Sequence, residues 1–192
     1  GVIAASACLG GVYAGNYWEN GVYDDEGNRT GVDREAALEA MRDTTRRMQE
    51  VFGDRWYGEL QWNNIKEQHE LNQYIIQIAE ETGIKLVSTC DSHYPTPDAW
   101  KDRELYKRLG WLGRGKPEWL DMNLPTSVDE IDYELYPKNG DQMWEAYQKY
   151  SRETGVEYDD TIVLNSIEET HRIAFDRIEG FYPDNAVRLP DF

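Results

Sequence analysis

An acid and an imidazole stand close together in the tripeptide Asp91-Ser92-His93. The apolar run at 84–89 before it predicts a buried strand, and parallel α/β folds bind ligands at the carboxyl ends of their strands. Because Asp91 and His93 are two positions apart, an extended chain would direct both side chains to one side. That pairing suits a divalent metal such as Zn, Mn or Fe. The alternative for so short a motif is that the pair only hydrogen-bonds the backbone of its own loop.

Cys8 occupies the corresponding place behind the predicted strand at 2–7. A thiolate there could complete a metal site with Asp91 and His93, and the alternative is a small buried side chain that only packs. Cys90 is the neighbour of Asp91 and therefore points to the opposite face of its strand, towards the helix layer. We interpret Cys90 as a packing residue and expect no disulfide between the two cysteines.

The other candidates for metal or catalytic chemistry are weaker. His69 and His171 lie in helical patterns among acids and amides, which indicates surface positions. The acidic clusters at 24–26 and 157–160 lack the ligand spacing of a calcium loop, and we interpret them as solvated loops. The sequence also contains no glycine-rich phosphate loop with its lysine and no Ser-His-Asp arrangement. The strand ends therefore remain the main chemical candidates.

The elements that must position these residues follow from the hydrophobic pattern. Short apolar runs alternate with helical patterns over the first two-thirds of the chain, which predicts the α/β class with mainly parallel strands. Strands are predicted at 2–7, 56–61 and 84–89, and a short one at 133–136. Helices are predicted at 33–51, 65–82, 96–109, 141–153 and 167–178. Loops are predicted at 11–31, with a hairpin across 18–23, and at 110–125.

The charge of the chain argues against direct binding of nucleic acid. Its 37 acidic and 20 basic residues give a formal net charge of -17, whereas DNA binding draws on a surplus of Lys and Arg. One group of basic residues near the middle of the chain is better explained as a solvated helix face than as a phosphate-binding patch. Its members are Arg103, Lys107, Arg108, Arg114 and Lys116.

The composition also restricts the class of protein. A content of 40% hydrophobic and 12% aromatic residues is sufficient for a buried core. No apolar run approaches the roughly 18 residues of a membrane helix, and the start of the sequence lacks the basic region of a signal peptide. An acidic chain with two cysteines fits the cytoplasm. The sequence lacks an initiating Met, which is expected of a fragment and also of a chain whose first Met has been removed by processing.

Several segments together resemble one family, the alpha subunits of bacterial and phage DNA polymerase III. Residues 1–10, GVIAASACLG, resemble the family's G-(L/I)-I-x-x-S-G-C segment, and 52–61 resemble its F-G-x-x-(F/Y)-Y-x-E-L-Q strand. Residues 85–94, KLVSTCDSHY, are similar to its V-A-T-N-D-x-H-Y motif. Further similar segments follow in the family's order at 67–72, 78–84, 133–138, 141–144, 164–174 and 189–192.

The resemblance implies a polymerase-and-histidinol-phosphatase (PHP) domain, a distorted (β/α) barrel with a metal cluster at its mouth. Residues 1–112 would be the C-terminal half of that barrel, and 113–192 a loop and mostly helical segment leading towards the polymerase core. Cys8, Asp91 and His93 would then be three ligands of the cluster, while the others belong to the first half of the domain. A divalent metal (Zn, Mn or Fe) is expected in the complete domain and is expected to be weakly bound or absent in this chain. We therefore expect the isolated chain to hydrolyse nothing appreciable.

Two other functions compete with a polymerase fragment. One is a self-standing PHP phosphoesterase, and the other is a non-catalytic module that docks a proofreading subunit or stabilises the polymerase. The expected partners are the remainder of the alpha subunit, DNA only through that parent, and a second copy paired along exposed strand edges. Gly58 and Trp62 depart from the residues usual around the family's E-L-Q strand. The resemblance therefore does not define the residues of a substrate pocket.

Overall fold

The computed structural model of the chain describes residues 1–115, 125, 127, 130, 131 and 134–180. Its strands are β1 (Ala4–Ala5), β2 (Gly21–Tyr23), β3 (Arg29–Val32), β4 (Trp56–Gln61) and β5 (Lys85–Thr89). Its α-helices are α1 (Val12–Glu19), α2 (Arg34–Phe52), α3 (Lys66–Thr82), α4 (Trp100–Gly113), α5 (Gly140–Thr154) and α6 (Asp160–Arg172). None of the helices in these ranges is both long and apolar enough to cross a membrane.

Three parallel strands form the sheet that positions the candidate site. Their order is β1-β4-β5, so β4 is the central strand. Ala5 pairs with Tyr57, and Gln61 pairs with Thr89 at the far end of β5. The α/β class and the parallel strands are thus confirmed. The described residues form an open three-stranded sheet, and no closed barrel is seen among them.

The segment predicted as a loop at 11–31 contains a helix and a hairpin. Helix α1 buries Tyr13, Ala14 and Tyr17 against the core. Gly15 and Asn16 lie inside α1, and because both residue types have low helix propensity, the composition obscured the helix. The hairpin is of the predicted kind but lies later in the chain, with β2 pairing antiparallel to β3.

Helices α2 and α3 begin and end where local signals predict. The Asp33 side chain accepts a hydrogen bond from the Ala36 N–H at 3.1 Å and caps α2. Gly83 ends α3 with a φ of 72°, a left-handed conformation that favours glycine. Both helices contribute to one core cluster, as do α1, β4, α5 and α6.

Gly58 is explained by the packing of α3 on the sheet. A Cβ at this position would lie 2.7 Å from Ile75 Cγ2 and 2.9 Å from Leu86 Cδ2. Carbon atoms pack most favourably at roughly 3.5–4.0 Å, so the close approach of α3 leaves no room for a side chain. The departure from the family's pattern at this position therefore has a local steric cause.

The last two helices pack on the same core as the sheet. Helix α5 follows the prediction closely and begins with a capping box between Asn139 and Gln142. Helix α6 begins earlier than predicted because Asp159 caps it, accepting a hydrogen bond from the Thr161 N–H at 2.7 Å. A π-helical turn at Ile173–Arg177 follows.

The stretch between α4 and α5 is described in part. Helix α4 continues to Gly113, into the predicted loop at 110–125. Of the short strand predicted at 133–136, residues 134–136 are not in a strand. Tyr133, Lys116 and the family-like segment at 189–192 lie outside the described residues.

Candidate functional site

The predicted ligands lie behind two strands that end at the same edge of the sheet. Cys8 follows β1, and Asp91 and His93 follow β5, with β4 between them. Neighbouring strands are about 4.8 Å apart, so the ends of β1 and β5 are separated by roughly 10 Å. Cys8 and Asp91 are half-buried and His93 is exposed. Both turns therefore reach the edge where parallel α/β folds bind ligands.

The structure brings Asp91 and His93 together but does not join Cys8 to them. The distance from His93 Nε2 to Asp91 Oδ1 is 3.5 Å. In the part of the chain that the structure describes, no group of three or more His, Cys, Asp or Glu residues is placed to hold a metal ion. The pair offers one nitrogen and one oxygen donor, whereas a metal site usually has at least three protein ligands. The described residues thus fit a metal only in part, and metal binding stays a prediction.

The loop that carries His93 is anchored to the chain ahead of α5. The backbone N–H groups of His93 and Tyr94 donate to the Leu135 carbonyl at 2.8 and 3.1 Å. In return, the Leu135 N–H donates to the Tyr94 hydroxyl at 2.9 Å. Tyr94, Trp100 and Leu135 form a second, smaller apolar cluster beside these bonds. The backbone position of His93 is therefore set by contacts distant in sequence.

Unusual backbone conformations mark both strand ends. Ala7 has a φ of 63° and Asp91 a φ of 46°, and they are the two non-glycine residues with positive φ in the described ranges. A left-handed conformation costs roughly 1–2 kcal/mol for such residues. Such strain clusters at functional sites, where the surrounding structure holds it in place. Here the strained residues are Asp91, which is a predicted ligand, and Ala7, which precedes the predicted ligand Cys8.

The turn after β1 is tight as well as strained. The Gly11 N–H donates to the Cys8 carbonyl at 2.8 Å and closes the turn. A Cβ on Gly11 would lie 2.0 Å from the Ser6 carbonyl oxygen and 3.0 Å from the Ala7 Cβ. Only glycine fits at this position, so the path of the backbone around Cys8 depends on it.

Glu59 links the two strand ends, and the sequence did not single it out. One of its carboxylate oxygens, Oε2, accepts a hydrogen bond from the Ala7 N–H at 3.0 Å. The other, Oε1, accepts bonds from the Gln61 amide at 3.0 Å and from the Thr89 hydroxyl. One signal in the sequence could have identified it, namely a charged residue inside an otherwise buried strand. A half-buried carboxylate needs several hydrogen-bond donors, so such a residue is expected to connect neighbouring segments.

Cys90 lies on the helix side of β5, as its position beside Asp91 predicts. Its side chain packs against the main core cluster, and its sulfur accepts a bond from the Lys138 N–H at 3.3 Å. Burial lowers the pKa of the Lys138 ammonium below its ordinary value. That ammonium also lies 4.1 Å from the centre of the Tyr136 ring. Both cysteines are free thiols.

The prediction that His69 is a surface residue is wrong. Its exposed fraction is 0%, and its Nε2 donates to the Asn63 carbonyl at 2.8 Å. Since Nε2 then carries the proton, Nδ1 accepts a bond from the Tyr158 hydroxyl at 2.8 Å. Burial lowers the pKa of His69, so the ring stays neutral. His171, in contrast, is exposed as predicted.

Trp62, the second departure from the family's pattern, belongs to the same buried cluster. It is 4% exposed, and its indole N–H donates to the Ser88 hydroxyl at 3.1 Å. Its ring packs against those of His69, Tyr147 and Tyr158. This arrangement joins the end of β4 to α3, α5 and the start of α6.

Two of the basic residues of α4 are engaged with an acid on the same helix. Glu104 lies 3.2 Å from an Arg103 nitrogen and 2.9 Å from the Lys107 ammonium. These pairs favour a mixed-charge helix face over a free phosphate-binding patch. Lys116, the last member of the predicted group, lies outside the described residues.

Known proteins with similar sequences are polymerase subunits. No known protein-family profile matches the chain. It is 27% identical to DNA polymerase III subunit alpha of Campylobacter jejuni over 147 residues, which is 77% of this chain and 11% of that protein. It is 35% identical to the subunit of Aquifex aeolicus over 51% of this chain and 7% of that protein. For Helicobacter pylori strain J99 the identity is 35% over 55% of this chain and 8% of that protein. The chain is therefore homologous to a region of DNA polymerase III subunit alpha and spans about a tenth of its length or less.

Proposed function

We propose that the chain is part of a replicative DNA polymerase alpha subunit. In that subunit, 1–112 would form the C-terminal half of the PHP domain and 113–192 the segment leading to the polymerase core. The observation that carries the PHP assignment is that Cys8 and the Asp91–His93 pair lie behind parallel strands at one edge of the sheet. Nucleotidyl transfer would belong to the parent enzyme, and DNA would reach this chain only through that enzyme.

The edge of the sheet would contribute ligands to a divalent-metal site. Cys8, Asp91 and His93 offer a thiolate, a carboxylate and an imidazole, a donor set that suits Zn, Mn or Fe. The chemistry that such a metal supplies is the activation of water for phosphoester hydrolysis or proofreading. The residues of this chain would hold the donors in place. The bond from the His93 N–H to Leu135 fixes the loop, and the contact with Asp91 orients the imidazole.

The proposal is tested by metal content in two lengths of polypeptide. The first is the 192-residue chain, and the second is the same chain preceded by the residues encoded upstream of Gly1. Inductively coupled plasma mass spectrometry should find bound metal in the longer polypeptide and little in the shorter one. His93→Gln and Asp91→Asn should lower the content, while His171→Gln, at an exposed helical site, should leave it unchanged. An upstream reading frame without an H-x-H motif would count against the PHP assignment.

A phosphodiesterase assay on the same samples separates the competing functions. Metal and turnover in the 192-residue chain alone would support a self-standing phosphoesterase. Metal in neither polypeptide would support a non-catalytic docking module. One observation favours the docking module. Helix α4 exposes 54% of Leu105, 76% of Tyr106 and 59% of Leu109, and exposed apolar patches mark surfaces that bind other proteins. Light scattering at high concentration would reveal self-association, and pull-down with a proofreading subunit would test that partner.

A further inference from the structure

Glu59 has contacts on both sides of the central strand, and we propose that it is a positioning residue for the candidate metal edge. Its carboxylate holds the turn that carries Cys8 and the end of β5 that leads to Asp91 in a fixed relation across β4. The metal-related part of this inference rests on the proposed function. The positioning itself concerns only the residues of this chain.

The contacts of Glu59 reach from the residues that follow β1 to the end of β5. Its own backbone N–H donates to the Ser6 hydroxyl at 2.9 Å, and Ser6 is 1% exposed. Its carboxylate accepts from the Ala7 N–H on one side and from Thr89 on the other. Hydrogen bonds to an ionised acceptor are roughly twice as strong as neutral ones. One side chain thus connects the residue before Cys8 with the residue two positions before Asp91.

These contacts coincide with the strained backbone. Ala7 is left-handed, and its N–H is the group that Glu59 binds. On the other side, Thr89 precedes the left-handed Asp91 by two residues. Strained conformations persist only where surrounding contacts hold them in place. A side chain that accepts hydrogen bonds from both strand ends, as Glu59 does, is therefore expected here.

The charge of Glu59 also suits a cation at this edge. Its hydrogen-bond donors are a backbone amide, a side-chain amide and a hydroxyl, all of them neutral. Within the described ranges no Lys, Arg or His forms an ion pair with it, unlike Glu104 or Glu134. A half-buried carboxylate without a cationic partner would be stabilised by a metal held nearby.

The first test asks whether Glu59 holds the turn. Amide hydrogen exchange at Ala7, measured by NMR in the 192-residue chain, should be about tenfold faster in Glu59→Gln, because the amide offers one neutral acceptor oxygen in place of two oxygens of a carboxylate. Glu80→Gln is the matched control, since it removes the same charge from an exposed position on α3. It should leave exchange at Ala7 unchanged. Equal rates in Glu59→Gln and the wild type would overturn the proposal.

The second test distinguishes positioning from a general structural role. Ala7→Gly relieves the left-handed strain, so the fall in melting temperature caused by Glu59→Gln should be smaller in an Ala7→Gly background. Gly31→Ala provides the control background, because Gly31 has open space around it and lies in the separate hairpin. If the effects of Glu59→Gln and Ala7→Gly simply add, the carboxylate does not act through the turn.

The third test uses Mn²⁺ as a probe and separates this inference from the proposed function. In the wild-type chain, line broadening by weakly bound Mn²⁺ should appear in the NMR signals of 7–9 and of 91–94 together. In Glu59→Gln it should persist at 91–94 and weaken at 7–9, because the turn that carries Cys8 would no longer be held beside the metal. Unchanged broadening at 7–9 would overturn the inference. No broadening anywhere in the wild type would refute the metal role, and the exchange and melting experiments would still decide the positioning.

Discussion

Replacing Gly58 with alanine tests the packing of α3 on the central strand. The added Cβ would lie 2.7 Å from Ile75 Cγ2 and 2.9 Å from Leu86 Cδ2. A favourable separation is roughly 3.5–4.0 Å, so the neighbours must move by about 1 Å. Overpacking of this kind costs about 1–3 kcal/mol, and removing a flexible glycine from a strand offsets about 0.5–1 kcal/mol of it. The expected net destabilisation is about 1–2 kcal/mol.

Thermal unfolding followed by circular dichroism measures this effect. For a chain of this size, 1 kcal/mol corresponds to about 2–4 °C, so the melting temperature of Gly58→Ala should fall by about 2–8 °C. Gly31→Ala is the matched control, because a Cβ on that strand glycine meets nothing within 4 Å. It should leave the melting temperature unchanged or raise it slightly.

A double substitution shows whether the clash is the cause. Leu86→Ala should cost less in the Gly58→Ala background than in the wild type, because shortening Leu86 makes room for the new methyl group. The steric explanation would be refuted if Gly58→Ala melted at or above the wild-type temperature. Strict additivity of the two substitutions would refute it as well.

Three further predictions concern the turn after β1 and the buried histidine. Gly11→Ala, with its Cβ 2.0 Å from the Ser6 oxygen, should lower the melting temperature more than Gly58→Ala does. Ala7→Gly should raise the free energy of unfolding in urea by about 0.5–1 kcal/mol, because it removes left-handed strain. Burial lowers the pKa of His69 in the folded state, so stability should fall as the pH drops below about 6.5, the unfolded value. Urea titrations between pH 5 and 8 should give a weaker pH dependence for His69→Gln and an unchanged one for His171→Gln.

Elements with local signals could be predicted from the sequence. The sequence predicts Asp33 as the N-cap of α2 and Gly83 as the residue that ends α3. Both predictions succeed because an N-cap side chain and a left-handed glycine act within a few residues of their own position. The apolar runs of β4 and β5 likewise indicate buried parallel strands. Helix α1 lacked such a pattern, since its Gly and Asn residues disfavour a helix that only the burial of Tyr13 and Tyr17 stabilises.

Buried polar residues were the main source of error. His69 resembles a surface residue among its acidic and amide neighbours, yet it lies on the buried face of α3. There it satisfies the Asn63 carbonyl and the Tyr158 hydroxyl, and both partners come from other elements. Hydrogen-bond partners outside the helix leave no periodic pattern in its sequence, so the polarity of a residue alone does not determine its burial.

The sequence by itself determined that Cys8 and the Asp91–His93 pair follow parallel strands, and hence that all three reach one edge. This follows because short apolar runs alternate with helical patterns along the chain, which favours parallel strands whose carboxyl ends share one edge. Only the tertiary structure decided that β4 separates Cys8 from the pair, that Ala7 and Asp91 are left-handed, and that Glu59 connects the two turns. Those features depend on strand order and on contacts between residues more than twenty-five positions apart, where no local preference acts.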